Sequence, residues 1–119
     1  MEDLFRRGIE EFNAQCFFEA HEVWEELWRG TSGPKKLFYQ GLIQTAVGFY
    51  HLENCNFRGA CSQFGKALVK LEHYVPAYHG IDTGDLIQQV RSLVQPDEKG
   101  REEFIVRPEP RPAPRIRFS

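Results

Sequence analysis

Up to about residue 95, apolar side chains recur every three or four positions. Phe5, Ile9, Phe12 and Cys16 follow steps of four, three and four, which lines them up on one face of a first helix. Phe17, His21, Trp24 and Trp28 repeat that spacing, with Ala20 and Leu27 beside them, and predict a second helix over about Phe17 to Trp28. Gly30 and the turn Thr31-Ser32-Gly33-Pro34 end it. Pro34 suits the first position of a third helix, where no N–H is needed. This third segment runs to about Asn54 and is apolar nearly all round, the pattern of a helix at the centre of a bundle. Asn56 is a natural N-cap for a fourth helix whose face is Phe57, Ala60, Cys61, Phe64, Ala67, Leu68 and Leu71. Beyond Pro76 and Gly80, Asp82 or Thr83 can cap a short fifth helix carrying Leu86, Ile87, Val90, Leu93 and Val94. No segment before the tail alternates with period two. The expectation is an all-α, up-and-down bundle of four to five helices with the third innermost.

Five of the seven prolines lie at Pro96, Pro108, Pro110, Pro112 and Pro114. Proline at every second position cannot sustain a helix and favours extended, polyproline-like backbone. Residues 1–95 therefore read as a helical bundle domain and residues 96–119 as an extended, Pro/Arg-rich C-terminal tail. Phe104, Ile105, Val106, Ile116 and Phe118 give that tail apolar material with which to dock.

Composition narrows the function classes. At 119 residues the chain fits one domain. Fifteen Lys and Arg against seventeen Asp and Glu give a net charge of −2, which argues against nucleic acid as a partner. The tail arginines Arg107, Arg111, Arg115 and Arg117 have little aromatic interleaving and do not change that. The longest stretch without a charged side chain, Leu37 to Leu52, is too short for a membrane span. Three cysteines without a C-x-x-C pair point to thiols in a reducing compartment, and no secretory leader is seen at the N-terminus; the expected location is the cytoplasm. A homodimer is compatible with the apolar, proline-stiffened tail, although no residue demands one.

Candidate chemistry gathers on helices two and three. Gln40, Gln44 and His51 fall within about 40° of one another around the third helix, with Gly41 and Gly48 beside them. Two helical glycines cost about 1 kcal/mol each relative to alanine, so a neighbouring backbone or a ligand should need their small size. Helix two carries Glu19, His21, Glu22, Glu25 and Glu26, with Arg29 as its only base. His21 and Glu25, four apart, share one edge and Glu22 flanks them, whereas Glu19 and Glu26 have the character of a solvated face.

Two functional readings follow. The preferred one is a module that binds a small ligand or a protein partner, with no chemistry of its own. Its polar site would lie between helices two and three and draw on Glu19, His21, Glu22, Glu25, Gln40, Gln44 and His51. A merely structural hydrogen-bonded network carries the same signature. The alternative is a metal-assisted hydrolase. His21-Glu22-Val23-Trp24-Glu25 reads H-E-x-x-E, in which His21 and Glu25 would hold a divalent metal, His51 would complete the ligand set, and Glu22 would act as general base.

Several motifs in order carry a family resemblance. Phe12-Asn13, then Phe18-Glu19-Ala20-His21-Glu22-Val23-Trp24-Glu25 with Trp28, then Gln40-Gly41-Leu42-Ile43-Gln44 with His51, then Arg58-Gly59-Ala60 resemble domain-of-unknown-function family 309, over roughly residues 4 to 94. The resemblance implies a small all-helical bundle and brings no activity. It also implies that the seven candidate site residues belong to the family's motifs. The proline-rich tail lies outside it. Among the remaining residues, Cys16 and Cys61 read as core, and Cys55 has no base beside it. Tyr74, Tyr78, His73 and His79 cluster around Pro76 as a plug over one end of the bundle.

Overall fold

The computed structural model describes residues 3–96, 104–106 and 112–119. Five helices follow in order: α1 (Asp3–Asn13), α2 (Phe17–Arg29), α3 (Pro34–Glu53), α4 (Phe57–Leu71) and α5 (Thr83–Arg91). A single 3-10 turn, Glu72–Tyr74, extends α4. The bundle is all-helical, as expected, and successive helices from α1 to α4 pack on one another. Two three-residue strands, β1 (Val94–Pro96) and β2 (Phe104–Val106), pair antiparallel with Val94 opposite Val106.

The corners that make the chain turn back are built alike. After α1, Gln15 takes φ 67°, its N–H reaches the Phe12 carbonyl at 2.9 Å, and the Cys16 N–H reaches Glu11 at 2.8 Å. After α3, Cys55 takes φ 58°, its N–H reaches Leu52 at 3.1 Å, and the Asn56 N–H reaches His51 at 2.8 Å. Both pairs satisfy the last carbonyls of the helix in a Schellman arrangement. Neither corner uses glycine, so each accepts roughly 1 kcal/mol of left-handed strain. Cys16 therefore caps α2 and does not extend the stripe of α1.

Four phenylalanines tie α1 to α4. Phe12 meets Phe17 at 5.1 Å between ring centroids, Phe17 stacks on Phe49 at 5.3 Å, and Phe49 meets Phe64 edge-on at 4.9 Å. All four are buried. Offset and edge-on pairs such as these add about 0.5–1.5 kcal/mol each beyond area burial. Trp24 fills the space between α1 and α2 with its Nε1–H donating to the Phe5 carbonyl at 3.2 Å, and Gly8 lets α1 approach its indole.

Pro34 opens α3 at its first turn, and Asn56 and Asp82 cap α4 and α5 by accepting from Gly59 N at 3.0 Å and Asp85 N at 2.9 Å. Helix α5 ends at Arg91, three residues before the expected Val94, because Leu93 and Val94 turn inward and lead into β1. Residues 112–119 run extended along the bundle. They lie between the C-terminal end of α1 and α5, with Ile116 buried in the common core.

Candidate functional site

Helices α2 and α3 run antiparallel, which brings the start of α2 beside the end of α3. Their buried sides are occupied by Phe17, Ala20 and Trp24 on α2 and by Leu42, Ala46 and Phe49 on α3. One residue round from the buried Phe17–Phe49 stack, Phe18 and Tyr50 meet at 5.4 Å on the outer surface. Phe18 is 43% exposed and Tyr50 37%, far more than aromatic rings that close a core. Each ring has a histidine against it: His21 at 5.0 Å from Phe18, and His51 at 6.1 Å from Tyr50.

The imidazoles are oriented by bonds at their Nδ1 atoms. His21 Nδ1 donates to the Phe18 carbonyl at 2.8 Å, one turn back in its own helix. That leaves a lone pair on Nε2 of the neutral ring. His51 Nδ1 faces the Asn56 amide nitrogen at 3.3 Å. Neither Nε2 has a partner among the described residues.

The remaining expected site residues are spread along this face. Glu19, Glu22 and Glu26 are exposed. Glu25 is half-buried and accepts from Arg29 Nη2 at 3.3 Å, an exposed pair of small energetic weight. Gln40 and Gln44 are half-buried, and Gln44 Oε1 is enclosed without a hydrogen-bond partner. The structure thus brings His21 into a common surface with His51 through the Phe18–Tyr50 contact, but turns His51 toward the corner between α3 and α4. Among the described residues no group of three His, Cys, Asp or Glu side chains is placed so as to hold a metal ion.

The heptad-spaced glycines serve packing. A Cβ on Gly41 would come to 2.9 Å from Leu71 Cδ2, and one on Gly48 would strike the Phe64 ring, so their small size admits α4 and not a ligand. Phe18 and Tyr50 are the contributors that the periodicity hid. Tyr50 sits beside the buried Phe49 in an almost wholly apolar helix, and Phe57, expected on the packing face of α4, is 50% exposed. The signal for Phe18 was its place one step off the stripe, next to a phenylalanine that is on it.

Cys16, at the start of α2, is not set up as a nucleophile. Burial first, then the carboxylates of Glu11 and Glu19, push the Cys16 thiol above its ordinary value, the reverse of what a thiolate needs. At the far end of α3, Tyr39 O–H lies 3.1 Å from His79 Nε2, and the His79 ring packs on Phe5 at 4.4 Å. Burial of that ring, and then Lys35, hold His79 below the ordinary imidazole value. Tyr74 donates to the Pro34 carbonyl at 2.8 Å, and its ring meets those of Phe38 and Tyr78 over the bundle end.

This arrangement defines a helical bundle with an exposed aromatic and histidine face. Residues 5–62 match the family model described as domain of unknown function DUF309, from α1 into the first turns of α4. The resemblance read from the motifs therefore holds, over a shorter span than residues 4 to 94. The chain is 33% identical over 89 residues to the uncharacterized protein YpuF of Bacillus subtilis (strain 168), an alignment covering 71% of this chain and 51% of that protein. An uncharacterized protein of Aquifex aeolicus (strain VF5) is 23% identical over 99 residues, covering 82% of this chain and 30% of that protein. The chain thus spans about half or less of the length of these curated relatives. No described helix is long and apolar enough to cross a membrane.

Proposed function

We propose that this domain is a cytoplasmic protein-binding module without chemistry of its own, and that the α2–α3 face is its binding surface. The observation that carries this reading is the exposed Phe18–Tyr50 contact flanked by His21 and His51. Exposed aromatic side chains beside oriented polar groups are the anchors of protein interfaces, because they offer large area at small entropic cost. Helix α2 adds Glu19 and Glu22 to the rim, both exposed, which suits a basic segment of the partner. His21 and His51 contribute one unpartnered ring nitrogen each.

A photo-crosslinking residue placed at Glu22 of the full chain tests this in cells. A discrete adduct is expected, and it should vanish when Phe18 and Tyr50 are both replaced by serine. The same crosslinker at Val69, exposed on α4, should give none. Failure to form an adduct at Glu22, or one indifferent to the double substitution, would sink the proposal.

A further inference from the structure

The extended segment 112–119 is held largely through its backbone. Asn13, at the end of α1, donates through Nδ2 to the Ile116 carbonyl at 3.1 Å and accepts the Ile116 N–H on Oδ1 at 2.7 Å. Gln89, on α5, does the same to the preceding residue. Its Nε2 donates to the Arg115 carbonyl at 2.7 Å and its Oε1 accepts the Arg115 N–H at 2.9 Å. Consecutive residues of extended backbone point their N–H and C=O groups to opposite sides. The two amides therefore clasp one strand from its two flanks, each copying the paired exchange of a sheet ladder. Gln15 adds a bond to the Pro114 carbonyl at 3.0 Å. Farther along, Asp82 N–H donates to the Arg117 carbonyl at 2.8 Å and Ser119 N–H to Gly80 at 3.0 Å, so the segment continues as a strand beside Ile81.

Two side chains supply selectivity. Ile116 is 1% exposed, and Arg117 Nη1 donates to Asp85 Oδ2 at 2.8 Å. The same carboxylate oxygen accepts from Gln89 Nε2 at 2.7 Å, so Asp85 both aims the clasp and reads the arginine. Apart from Ile116 the segment is at least partly open to solvent: Pro112, Ala113, Arg115, Arg117, Phe118 and Ser119 are exposed, and Pro114 is half-buried.

From this we infer that the groove between α1 and α5 is a recognition site for an extended peptide of the pattern proline, any residue, branched aliphatic, arginine, and that its occupant in trans is the same segment of a second copy of this chain. Residues 114–117 hold the place of that peptide. Main-chain clasps accept any extended segment, while one apolar socket and one carboxylate select within them; this is how added strands are recognised at sheet edges. The site is separate from the α2–α3 face and does not depend on it.

The test uses the full chain carrying Ile116→Ala and Arg117→Glu, which empties the socket and sets a carboxylate against Asp85. A fluorescent octapeptide with the sequence of residues 112–119 should bind this variant. It should bind the unaltered chain at least about tenfold more weakly, because the resident segment leaves only a fraction of grooves open. Adding Gln89→Ala to the variant should abolish the gain. A variant that keeps its helical circular dichroism yet does not bind, or equal binding by both chains, overturns the inference. Should the variant fail to fold, amide exchange in the unaltered chain decides. Ile116 N–H is expected to exchange at least about tenfold faster than core amides such as Leu42, through local release of the segment. Exchange as slow as the core would show that the segment leaves only when the bundle unfolds, and would refute the site.

Discussion

Asn56 sets the tautomer of His51. Its Oδ1 is committed to the Gly59 N–H at 3.0 Å as the N-cap of α4, so its amide N–H group is the part that faces His51 Nδ1 at 3.3 Å. The histidine must accept there, which puts its proton on Nε2. His21 is set the opposite way, donating from Nδ1. The outer face thus offers one imidazole acceptor and one imidazole donor, both fixed by backbone or by a helix cap.

Replacing Asn56 separates the two duties. Asn56→Ala should lose about 1 kcal/mol of stability with the cap, whereas Asn56→Asp should keep most of it. Asn56→Ala should in addition let the His51 ring populate both neutral tautomers, seen as averaged imidazole ¹⁵N shifts by NMR, while His21 stays unchanged.

Gly48→Ala sets helix propensity against packing. Alanine is favoured in a helix interior by about 1 kcal/mol. The new methyl would nevertheless meet Phe64 ring carbons on α4 at 2.5 Å. Overpacking of this kind costs about 1–3 kcal/mol, so net destabilisation is expected in urea denaturation.

Trp24→Ala removes the largest fully buried side chain, along with its bond to Phe5. A loss of about 3–5 kcal/mol follows from truncating an aromatic of this size. His51→Ala, at a half-buried position with one long hydrogen bond, should cost under about 1 kcal/mol. The contrast between the two substitutions, read as midpoint shifts, separates core from surface.

Acid should weaken the fold through His79. Its pKa in the folded chain lies below the unfolded value, with burial the first cause and Lys35 the second. Between the two values the unfolded chain binds more protons, so this contribution is present above the unfolded pKa and is lost as pH falls through the folded one. Melting temperature should therefore drop on acidification from about pH 7 to about pH 5, and less steeply in His79→Asn. Asparagine also tolerates the positive φ of 52° at this site.

Much of the bundle was legible because the chain follows simple rules. The three-and-four spacing of Phe5, Ile9 and Phe12 and of Phe17, Ala20 and Trp24, the proline at the start of α3 and the caps Asn56 and Asp82 all appear where local chemistry places them. The corner at Gln15 was hidden because a Schellman turn normally advertises itself with glycine. The candidate face was legible in part. Angular position put Gln40, Gln44 and His51 together, but the same angles say nothing about which neighbour covers that side. Helix α4 packs against the glycines beside it, and the polar residues are left at the margin. The docking of residues 112–119 was legible only as apolar material at Ile116 and Phe118, without a destination. It depends on pairs more than ninety-five positions apart, such as Asn13 with Ile116 and Gln15 with Pro114, which no local pattern encodes.

Gly41 and Gly48 give the exposed aromatic face a remote control. They set the depth to which α4 beds against α3, at Leu71 and Phe64 respectively. The N-terminal cap of α4 rides on that depth and carries the amide that steers His51. A methyl group added at Gly41, about three turns before His51, would tilt this corner without touching the surface. Variation at two featureless positions can therefore retune what the face presents between chains whose exposed residues are identical.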